Sequence, residues 1–286
     1  MINRNISAFV PVYNNFEYIE TVLSSLSIQR IQFSKILIID DGSKHSLNLD
    51  ILKKYKNLNT YYLKNKNNEG RGYCRNLAVH NLDSDFILML DSSNCLPKNF
   101  VKIALSLFES NQVCAVSGLI NNEPSNINFV AKWRGRHLFK QNFNFGTTIH
   151  YAESLTTYGT IFRRSAVLDV GNFNPKFVHS EDKELGVRLL KAGYKIIGNP
   201  NLIVYSIKKD TTFSVLERYW RWYGGEDESM SFYDYLVAIK ASIRPMIQQD
   251  IIAYDLKSAL ISFLCPHYGY FTYLFRKFND KIQKLT

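Results

Sequence analysis

The sequence has few of the residues and patterns that define several large classes of protein. It contains four cysteines, 14 glycines and 7 prolines in 286 residues. The cysteines are far apart and form no C-x-x-C pair, which argues against a zinc site or a disulfide framework and for a reducing compartment. With 46% hydrophobic residues, the composition also excludes collagen-like, low-complexity and disordered chains.

Long apolar segments are missing as well. No stretch reaches the ~18 uninterrupted apolar residues typical of a transmembrane helix. The best candidate, residues 259–275, is interrupted by Pro266, His267 and Gly269. The first residues lead into a strand-like segment and offer no apolar region of the signal-peptide type. We therefore expect a cytoplasmic protein, with the inner face of the membrane as an alternative location.

Two motifs that a basic α/β protein could carry are absent. The net charge is +10, from 35 Lys and Arg against 25 Asp and Glu, which suits nucleic acid, an anionic membrane or a phosphorylated substrate. No nucleic-acid-binding motif accompanies this charge, so we expect no nucleic-acid partner. Residues 11–16, after the first predicted strand, contain no glycine. This argues against an NAD-binding turn and against a glycine-rich triphosphate loop.

Three short apolar runs dominate the first hundred residues: Ile6–Val10, Lys35–Ile39 and Phe86–Leu90. They are continuous rather than alternating, which is typical of parallel strands covered on both faces. Helical patterns lie between and after them, beginning near Asn15 as a cap and then covering residues 47–55, 72–82 and 97–109. The alternation predicts an α/β sheet.

Polar residues follow each of these runs. Val10 leads into Pro-Val-Tyr-Asn, Ile39 into Asp-Asp-Gly-Ser, and Leu90 into Asp-Ser-Ser-Asn. Ligands of open α/β sheets bind outside the carboxyl ends of the strands. Acids gathered there suit a ligand that offers hydrogen-bond donors, or a metal that carries a diphosphate.

The second half is less regular. Residues 121–150 are rich in Asn, Phe and basic side chains, and two interpretations stay open: a long flap beside the site, or a solvated pair of strands. Residues 158–162 predict a strand. A helix follows over residues 181–192, with Ser180 as its expected cap and Gly193 at its end.

These motifs, in this order, resemble those of inverting family 2 glycosyltransferases, whose catalytic domain has the GT-A fold. The matching pieces are Pro11–Asn14, Asp40–Ser43, Asn68-x-Gly70 with Arg75-Asn76, Leu90–Asn94, Gly171-x-Phe173 and Glu181-Asp182. The resemblance implies a Rossmann-like, mostly parallel sheet flanked by helices in a catalytic domain over residues 1–224. Residues 225–286, rich in Tyr and Phe, would form a C-terminal helical extension.

The resemblance also implies roles for single residues. Asp182 would be the general base that takes the proton of the acceptor hydroxyl. Pro11, Tyr13 and Asp41 would line the nucleobase and ribose pocket, and Arg75, Asn76 and Asp91 would face the donor nucleotide. Plainer interpretations remain: Asp-Asp-Gly-Ser is also a common turn sequence, and acids in a first helical turn also complement the helix dipole.

One position departs from the family pattern. The family usually has acid-x-acid after the fourth strand, with the second acid on Mn²⁺ or Mg²⁺, whereas here Ser93 follows Asp91 and Ser92. A hydroxyl is a weaker ligand than a carboxylate for a hard cation. The alternatives are a metal held by Asp91, a metal held loosely with Ser93, no metal with cationic side chains on the diphosphate, or a non-catalytic nucleotide-sugar-binding relative.

The segment Arg218–Trp222 resembles the Q-x-x-R-W box of processive polysaccharide synthases, with Arg in place of Gln. The resemblance implies that Arg221 lies near the diphosphate and Trp222 near the acceptor sugar. An amphipathic helix with packed Trp and solvated Arg side chains explains the same residues equally well.

The expected function is that of a hexosyl- or N-acetylhexosaminyl-transferase. It would move a sugar from a nucleotide-diphosphate donor, expected to be a UDP-sugar, to a hydroxyl of a glycan or lipid-linked acceptor in bacterial surface polysaccharide synthesis. Residues 259–278 combine aromatic side chains with nearby cations. This pattern fits peripheral membrane contact, and it equally fits a homodimer or internal packing.

Overall fold

The computed structural model describes residues 5–141, 148–223 and 230–283. The chain divides into two units, the first made of residues 1–121 and 145–208, the second of residues 122–144 and 209–286. The second unit therefore includes residues on both sides of position 224. The functional boundary expected at that position stays a prediction.

The first unit is built on a mixed sheet, which has nine strands within the described residues. They are β1 (Ile6–Val12), β2 (Ile36–Asp40), β3 (Thr60–Lys64), β4 (Phe86–Leu90), β5 (Asn94–Cys95), β6 (Val113–Asn122), β7 (His150–Tyr151), β8 (Gly159–Arg163) and β9 (Lys195–Ser206). Their order is β3-β2-β1-β4-β8-β6-β9-β5, with β7 paired to β9. The pairs among β3, β2, β1 and β4 are parallel, whereas β8 runs antiparallel to β4 and β6.

The helices are α1 (Ile19–Ser27), α2 (Asp50–Lys54), α3 (Arg71–Asn81), α4 (Phe100–Ser106), α5 (Phe129–His137), α6 (Arg164–Asp169), α7 (Glu181–Lys191), α8 (Thr212–Tyr223), α9 (Phe232–Ala241), α10 (Gln248–Ile252) and α11 (Leu256–Gln283). A 3₁₀ turn at Pro124–Asn126 and a π-helical turn at Ser242–Ile247 complete the set. Helices α1 to α4 and α7 correspond to the five helices that the sequence predicts by position, and the other helices join them. The α/β prediction is confirmed.

Both faces of the parallel strands are covered, which explains their continuous apolar runs. Val22 and Leu23 of α1 pack against one face, while Ala78 of α3 and Leu185 of α7 pack against the other. Leu23 and Leu185 are both fully buried. Burial of a side chain of this size contributes about 1.5–3 kcal/mol. The shared face matters for the site, because it brings the starts of α3 and α7 together.

Two of the expected helix caps are wrong. Helix α1 begins at Ile19 with Tyr18 at its N-cap and has no side-chain cap, while the amide of Asn15 donates to Ser92 Oγ over 3.2 Å. Ser180 precedes α7 with φ of 61° and makes no capping bond. Gly193, with φ of 83°, does follow the end of α7 as predicted.

Residues 121–150 form neither a flap nor a pair of solvated strands where the structure describes them. The longest element within the segment is helix α5, at whose start the Asn128 side chain accepts from the amide of Ala131. Trp133 and Arg134 of α5 are completely buried. Arg134 forms an ion pair with Asp210 over 2.6 Å. Arg134 and Arg136, which pairs with Asp250, therefore serve the interior of the second unit, whereas Lys132 and Lys140 are exposed. Residues 142–147 lie outside the described part of the chain.

The second unit is helical. Helix α11 packs against α5, α8, α9 and α10. Over the residues that the structure describes, no helix is both long enough and apolar enough to cross a membrane.

Candidate active site

The segments that follow β1, β2 and β4 lie side by side, as their strand order requires. Val12 pairs with Asp40, and the amide of Asp41 donates to the carbonyl of Val12 over 2.8 Å. The amide of Asn14 donates to Ser43 Oγ over 2.8 Å. The bond from Asn15 to Ser92 joins the first of these segments to the third. The predicted crevice residues are thus brought to one edge of the sheet.

Asp41 is buried, and its carboxylate organises the loop that leads into α3. It accepts the side-chain amide of Asn65 and the backbone amides of Glu69 and Gly70, each over 2.9 Å. A carboxylate has about four acceptor positions, and the neighbouring Cys74 thiol competes for the fourth: burial raises the pKa of this thiol, and the charge of Asp41 and a hydrogen bond to it add to the shift. The role of Asp41 in recognising a nucleobase stays a prediction.

Gly42 allows this loop to approach. Its φ is +76°, and a Cβ there would lie 2.4 Å from the carbonyl carbon of Asn67. The neighbouring Asp40 is fully buried and accepts from the phenol of Tyr62 over 2.6 Å. Burial, together with this bond to Asp40, raises the pKa of Tyr62 to about 12.

Arg75 lies at the centre of the site. It is 3% exposed and forms a buried ion pair with Glu181. Its Nη2 lies 3.7 Å from Asp91 Oδ1. Burial lowers the pKa of the Arg75 guanidinium, and the charges of Asp91 and Asp182 act against that shift. One cation of α3 thus connects the end of β4 to the start of α7.

Asn76 connects α3 to the turn before α7. Its side-chain nitrogen donates to the carbonyl of Phe173 over 2.7 Å, and its own carbonyl accepts from the side chain of Asn172. Asn172 has φ of 64°. The contact with the donor nucleotide that the resemblance implies for Asn76 stays a prediction.

Two adjacent acids begin α7 and differ in environment. Glu181 is 1% exposed, whereas Asp182 is half-buried. Asp182 Oδ2 accepts from the hydroxyl of Thr157 over 3.2 Å, and Oδ1 accepts from the amide of Lys183. The positive φ of Ser180, which lies just before them, is uncommon for a residue other than glycine, and such conformations cluster at functional sites.

Sequence reasoning misses three contributors to this arrangement. Glu181 lies inside a recognised motif, but the motif assigns it no role of its own. Thr157 lies just before the strand predicted over residues 158–162 and Tyr158 is its first residue, and neither carries a signal of its own. Burial raises the pKa of the Tyr158 phenol, and the charge of Asp182 adds to the shift, which places Tyr158 near the same carboxylate.

The remaining predicted residues of the donor site lie along β1 and the end of β4. Tyr13 is 49% exposed, and Pro11 lies opposite Ile39 in the sheet. Asp91 has a side chain that is 44% exposed. Ser93 is half-buried, and its carbonyl accepts from the amide of Ile207.

At the end of β4, where the family places its metal, Asp91 is the carboxylate available to a divalent ion. Among the residues that the structure describes, no three His, Cys, Asp or Glu side chains form a group that could hold a metal. Mg²⁺, however, is usually bound through one or two carboxylates together with substrate phosphates. The partly exposed Asp91 meets the lower limit of that requirement. The residues therefore suit an ion whose other ligands are the oxygens of a bound diphosphate. They do not suit an ion bound by protein side chains alone.

Arg221 and Trp222 belong to α8 of the second unit. The other side of α8 is packed: Trp220 lies against Gly269, and Arg218 pairs with Asp210 over 3.1 Å. Trp222 is 45% exposed, and Arg221 is exposed. Their predicted contacts with diphosphate and acceptor sugar stay predictions.

Comparison with known proteins identifies the family to which the chain is similar. A model of the family "Glycosyltransferase like family 2" matches residues 3–225. An uncharacterized glycosyltransferase of Rickettsia felis is 34% identical over 111 residues, which are 38% of this chain and 18% of that protein. The poly-beta-1,6-N-acetyl-D-glucosamine synthase of Staphylococcus aureus is 22% identical over 246 residues, 85% of this chain and 59% of the synthase. The chain thus spans less than two thirds of either relative.

Solved structures confirm the GT-A fold. S. aureus TarS 1–349 in complex with UDP-GlcNAc has a TM-score of 0.56 and 20% identity, over 93% of this chain and 73% of that one. The mannosyltransferase PcManGT of Pyrobaculum calidifontis, in complex with GDP-Man and Mn²⁺, has a TM-score of 0.57 and 15% identity, over 75% of this chain and 60% of that one.

Proposed function

The chain belongs to glycosyltransferase-like family 2, and from this premise we propose that it transfers a sugar from a UDP-sugar to a hydroxyl group with inversion at the anomeric carbon. The acceptor that we propose is a glycan or a lipid-linked sugar of a bacterial surface polysaccharide. The similarity to a polysaccharide synthase over 85% of the chain supports this choice.

The observation that carries the proposal is the convergence of Arg75, Asp91 and Asp182. Arg75 is buried beside Glu181 and 3.7 Å from Asp91, and it interacts electrostatically with Asp182. Asp91 and Asp182 are both accessible in part. Two partly accessible carboxylates flank the buried Arg75–Glu181 pair, Asp91 after β4 and Asp182 at the start of α7. This suits a metal-carried diphosphate on the Asp91 side and a base for the acceptor on the Asp182 side.

In the proposed reaction, Asp182 accepts the proton of the acceptor hydroxyl as that oxygen attacks the anomeric carbon. The new carbon–oxygen bond forms on the face opposite the diphosphate. The bond to the diphosphate breaks, and the diphosphate leaves with the electron pair, so a single displacement inverts the configuration. Thr157, which donates to Asp182 Oδ2, orients the carboxylate. A divalent ion, when bound through Asp91 and the diphosphate, would neutralise charge on the leaving group.

The nucleotide is chosen by analogy. TarS was solved with UDP-GlcNAc and with UDP, whereas the mannosyltransferase was solved with GDP-Man. UDP is therefore the first ligand to test and GDP the competitor. Binding of UDP and of GDP would each be measured by calorimetry with Mn²⁺ and again in EDTA. Binding of neither nucleotide under either condition would contradict the proposal.

Asp182→Asn tests the mechanism. This variant should bind UDP as the wild type does, and it should lose transfer by about a hundredfold or more, because a positioned base contributes about 10²–10⁴-fold. Release of UDP from UDP-GlcNAc would be followed with a panel of oligosaccharide and lipid-linked acceptors. Glu184→Gln, in the same helical turn, is the matched control and should retain turnover. Retained turnover in Asp182→Asn would remove Asp182 from the mechanism.

A second candidate function follows from Ser93. A chain that has lost the usual metal-binding acid could bind nucleotide sugars without transferring them. Binding of UDP-GlcNAc by the wild type with no product on any acceptor would favour this alternative.

A further inference from the structure

Helix α11 differs from an ordinary surface helix in that most of its large apolar side chains face outward and most of its small side chains face inward. Its inner face carries mostly small side chains: Ser258 and Ser262 are fully buried and Cys265 is 4% exposed, with Ile261, at 1%, as the one large apolar side chain fully buried among the residues described there. Ser262 Oγ accepts from the indole of Trp133 over 2.9 Å and donates to Asp250 over 2.5 Å. The inner face is therefore committed to the interior of the second unit.

The outer face of α11 carries the large apolar side chains. Surface helices normally turn that stripe toward the core, but here six such residues are between 51% and 76% exposed. They recur at the spacing of one helix face. They are Leu256, Leu260, Phe263, Phe271, Phe275 and Phe278.

The same surface continues onto α9. Phe232 is 62% exposed, and its ring centroid lies 6.4 Å from that of Tyr270. Tyr235 stacks on Tyr270 at 4.3 Å, and Tyr270 contacts Phe271. Phe232 and the six exposed residues of α11 form what we call the outer apolar surface. Because it covers two helices, it is wider than the narrow seam of a coiled coil.

The charges around the outer apolar surface are mainly positive. Exposed cations lie along the same helices and the turn between α9 and α10: Lys240, Arg244, Lys257, Arg276 and Lys277. Among the side chains that the structure describes in residues 230–283, the one exposed acid is Asp234; the sequence adds Asp280, together with Lys281 and Lys284, near the end of α11. The carboxylate of Asp234 is engaged by Ser231 in a capping box. The surface is thus complementary to negative charge.

We propose that the outer apolar surface binds an anionic lipid bilayer, with α11 lying in the plane of the headgroups. Phe and Leu on one face beside Lys and Arg are the pattern of interfacial helices, which combine apolar burial with attraction to anionic lipids. A symmetric dimer would instead bring two copies of the same positively charged surface together, which like charges oppose. The helix keeps its inner face on the rest of the unit, so only the outer face enters the headgroup region.

Co-sedimentation with vesicles tests the proposal, using the full chain. The protein should pellet with vesicles of phosphatidylcholine containing phosphatidylglycerol, more weakly with phosphatidylcholine alone, and less as salt is raised. Phe271→Ser/Phe275→Ser/Phe278→Ser should lower the partition coefficient by about a hundredfold, because three apolar side chains no longer enter the interface.

Matched controls separate this surface from general properties of the chain. Ile28→Ser/Leu49→Ser/Tyr61→Ser removes three side chains of the first unit that are 48–52% exposed and should leave partition unchanged. The melting temperature of each variant would show that it folds.

Charge is tested in the same way. Arg276→Gln/Lys277→Gln should weaken binding to anionic vesicles about thirtyfold, from about 1 kcal/mol for each basic side chain near the surface. Lys53→Gln/Lys54→Gln makes the same change of net charge in the first unit and should have little effect.

Three results would overturn the proposal. One is that the wild type does not bind anionic vesicles. Another is that the variants and their controls lose vesicle binding to the same extent. The third is a wild-type dimer, seen by sedimentation equilibrium, that the triple Ser variant no longer forms, since a second copy would then cover the surface. None of these results depends on donor binding, so failure here and failure of the proposed transferase reaction are distinguishable.

Discussion

Replacing Glu181 with Gln should destabilise the first unit strongly. The side chains of Arg75 and Glu181 are 3% and 2% exposed. The substitution keeps the shape of Glu181 and removes its charge, which leaves the Arg75 guanidinium buried without its main partner. Removing one member of a buried ion pair costs about 3–5 kcal/mol.

The surroundings of Arg75 indicate where in this range the loss of stability should lie. Asp91 stays 3.7 Å away, but its side chain is 44% exposed, so water screens its charge and it compensates only in part. We therefore expect a loss near the lower end of the range, about 3 kcal/mol. This is a large share of the total stability of about 5–15 kcal/mol that folded proteins have.

Urea denaturation followed by circular dichroism measures the effect. Tryptophan fluorescence would report mainly on the other unit, because Trp133, Trp220 and Trp222 all belong to the second unit. The matched control is Asp50→Asn, which breaks an exposed pair with Lys53 and should change the free energy of unfolding by less than about 0.5 kcal/mol.

A double variant refines the reasoning. Arg75→Met/Glu181→Met removes both charges, and replacement of a buried pair by apolar residues is often neutral or stabilising. It should therefore be more stable than Glu181→Gln and yet should not bind UDP. The free energy of unfolding of Glu181→Gln could instead lie within about 1 kcal/mol of the wild-type value. In that case burial of Arg75 does not require the charge of Glu181, and the ion pair does not stabilise the site.

Three further predictions concern the neighbouring loop, the pH dependence and α8. Gly42→Ala should lower the free energy of unfolding, measured by denaturant titration, more than Gly193→Ala does. Both glycines have positive φ, but a Cβ at residue 42 would lie 2.4 Å from backbone, whereas one at residue 193 would meet nothing within 4 Å. Tyr62 keeps its proton to a pKa of about 12 when folded against an ordinary value of 10, so it contributes stability that is lost as pH rises above 10. Tyr62→Phe should make the melting temperature fall less between pH 10 and 12. Arg221→Ala should lower donor turnover with the melting temperature unchanged; unchanged turnover would make this box structural.

Much of the site is predictable because parallel strands end at one edge of a sheet. The sequence shows where Val10, Ile39 and Leu90 give way to polar residues, and the crossover rules bring those points together. The caps are not predictable in the same way. Asn15 and Ser180 are good capping residues by type, but tertiary bonds and the turn before α7 decide what their side chains do.

The second unit shows what sequence pattern cannot supply. Arg134 and Arg136 are basic residues in a polar segment, which favours a solvated surface. Their partners Asp210 and Asp250 are 76 and 114 residues away, and nothing local indicates the pairing. A buried charge is tolerated only where a partner is buried with it, and that condition depends on the fold as a whole.

The two acids at the start of α7 illustrate the same limit inside the site. Adjacent helical residues point about 100° apart, so one side chain can enter the interior while the next faces the crevice. The sequence alone does not say which does. The structure commits Glu181 to Arg75 and leaves Asp182 with one hydroxyl partner and one backbone partner. Because Glu181 neutralises the cation, Asp182 need not, and its carboxylate stays available for a proton. The assignment of the base to Asp182 thus depends on the burial of its neighbour, and both substitutions test it.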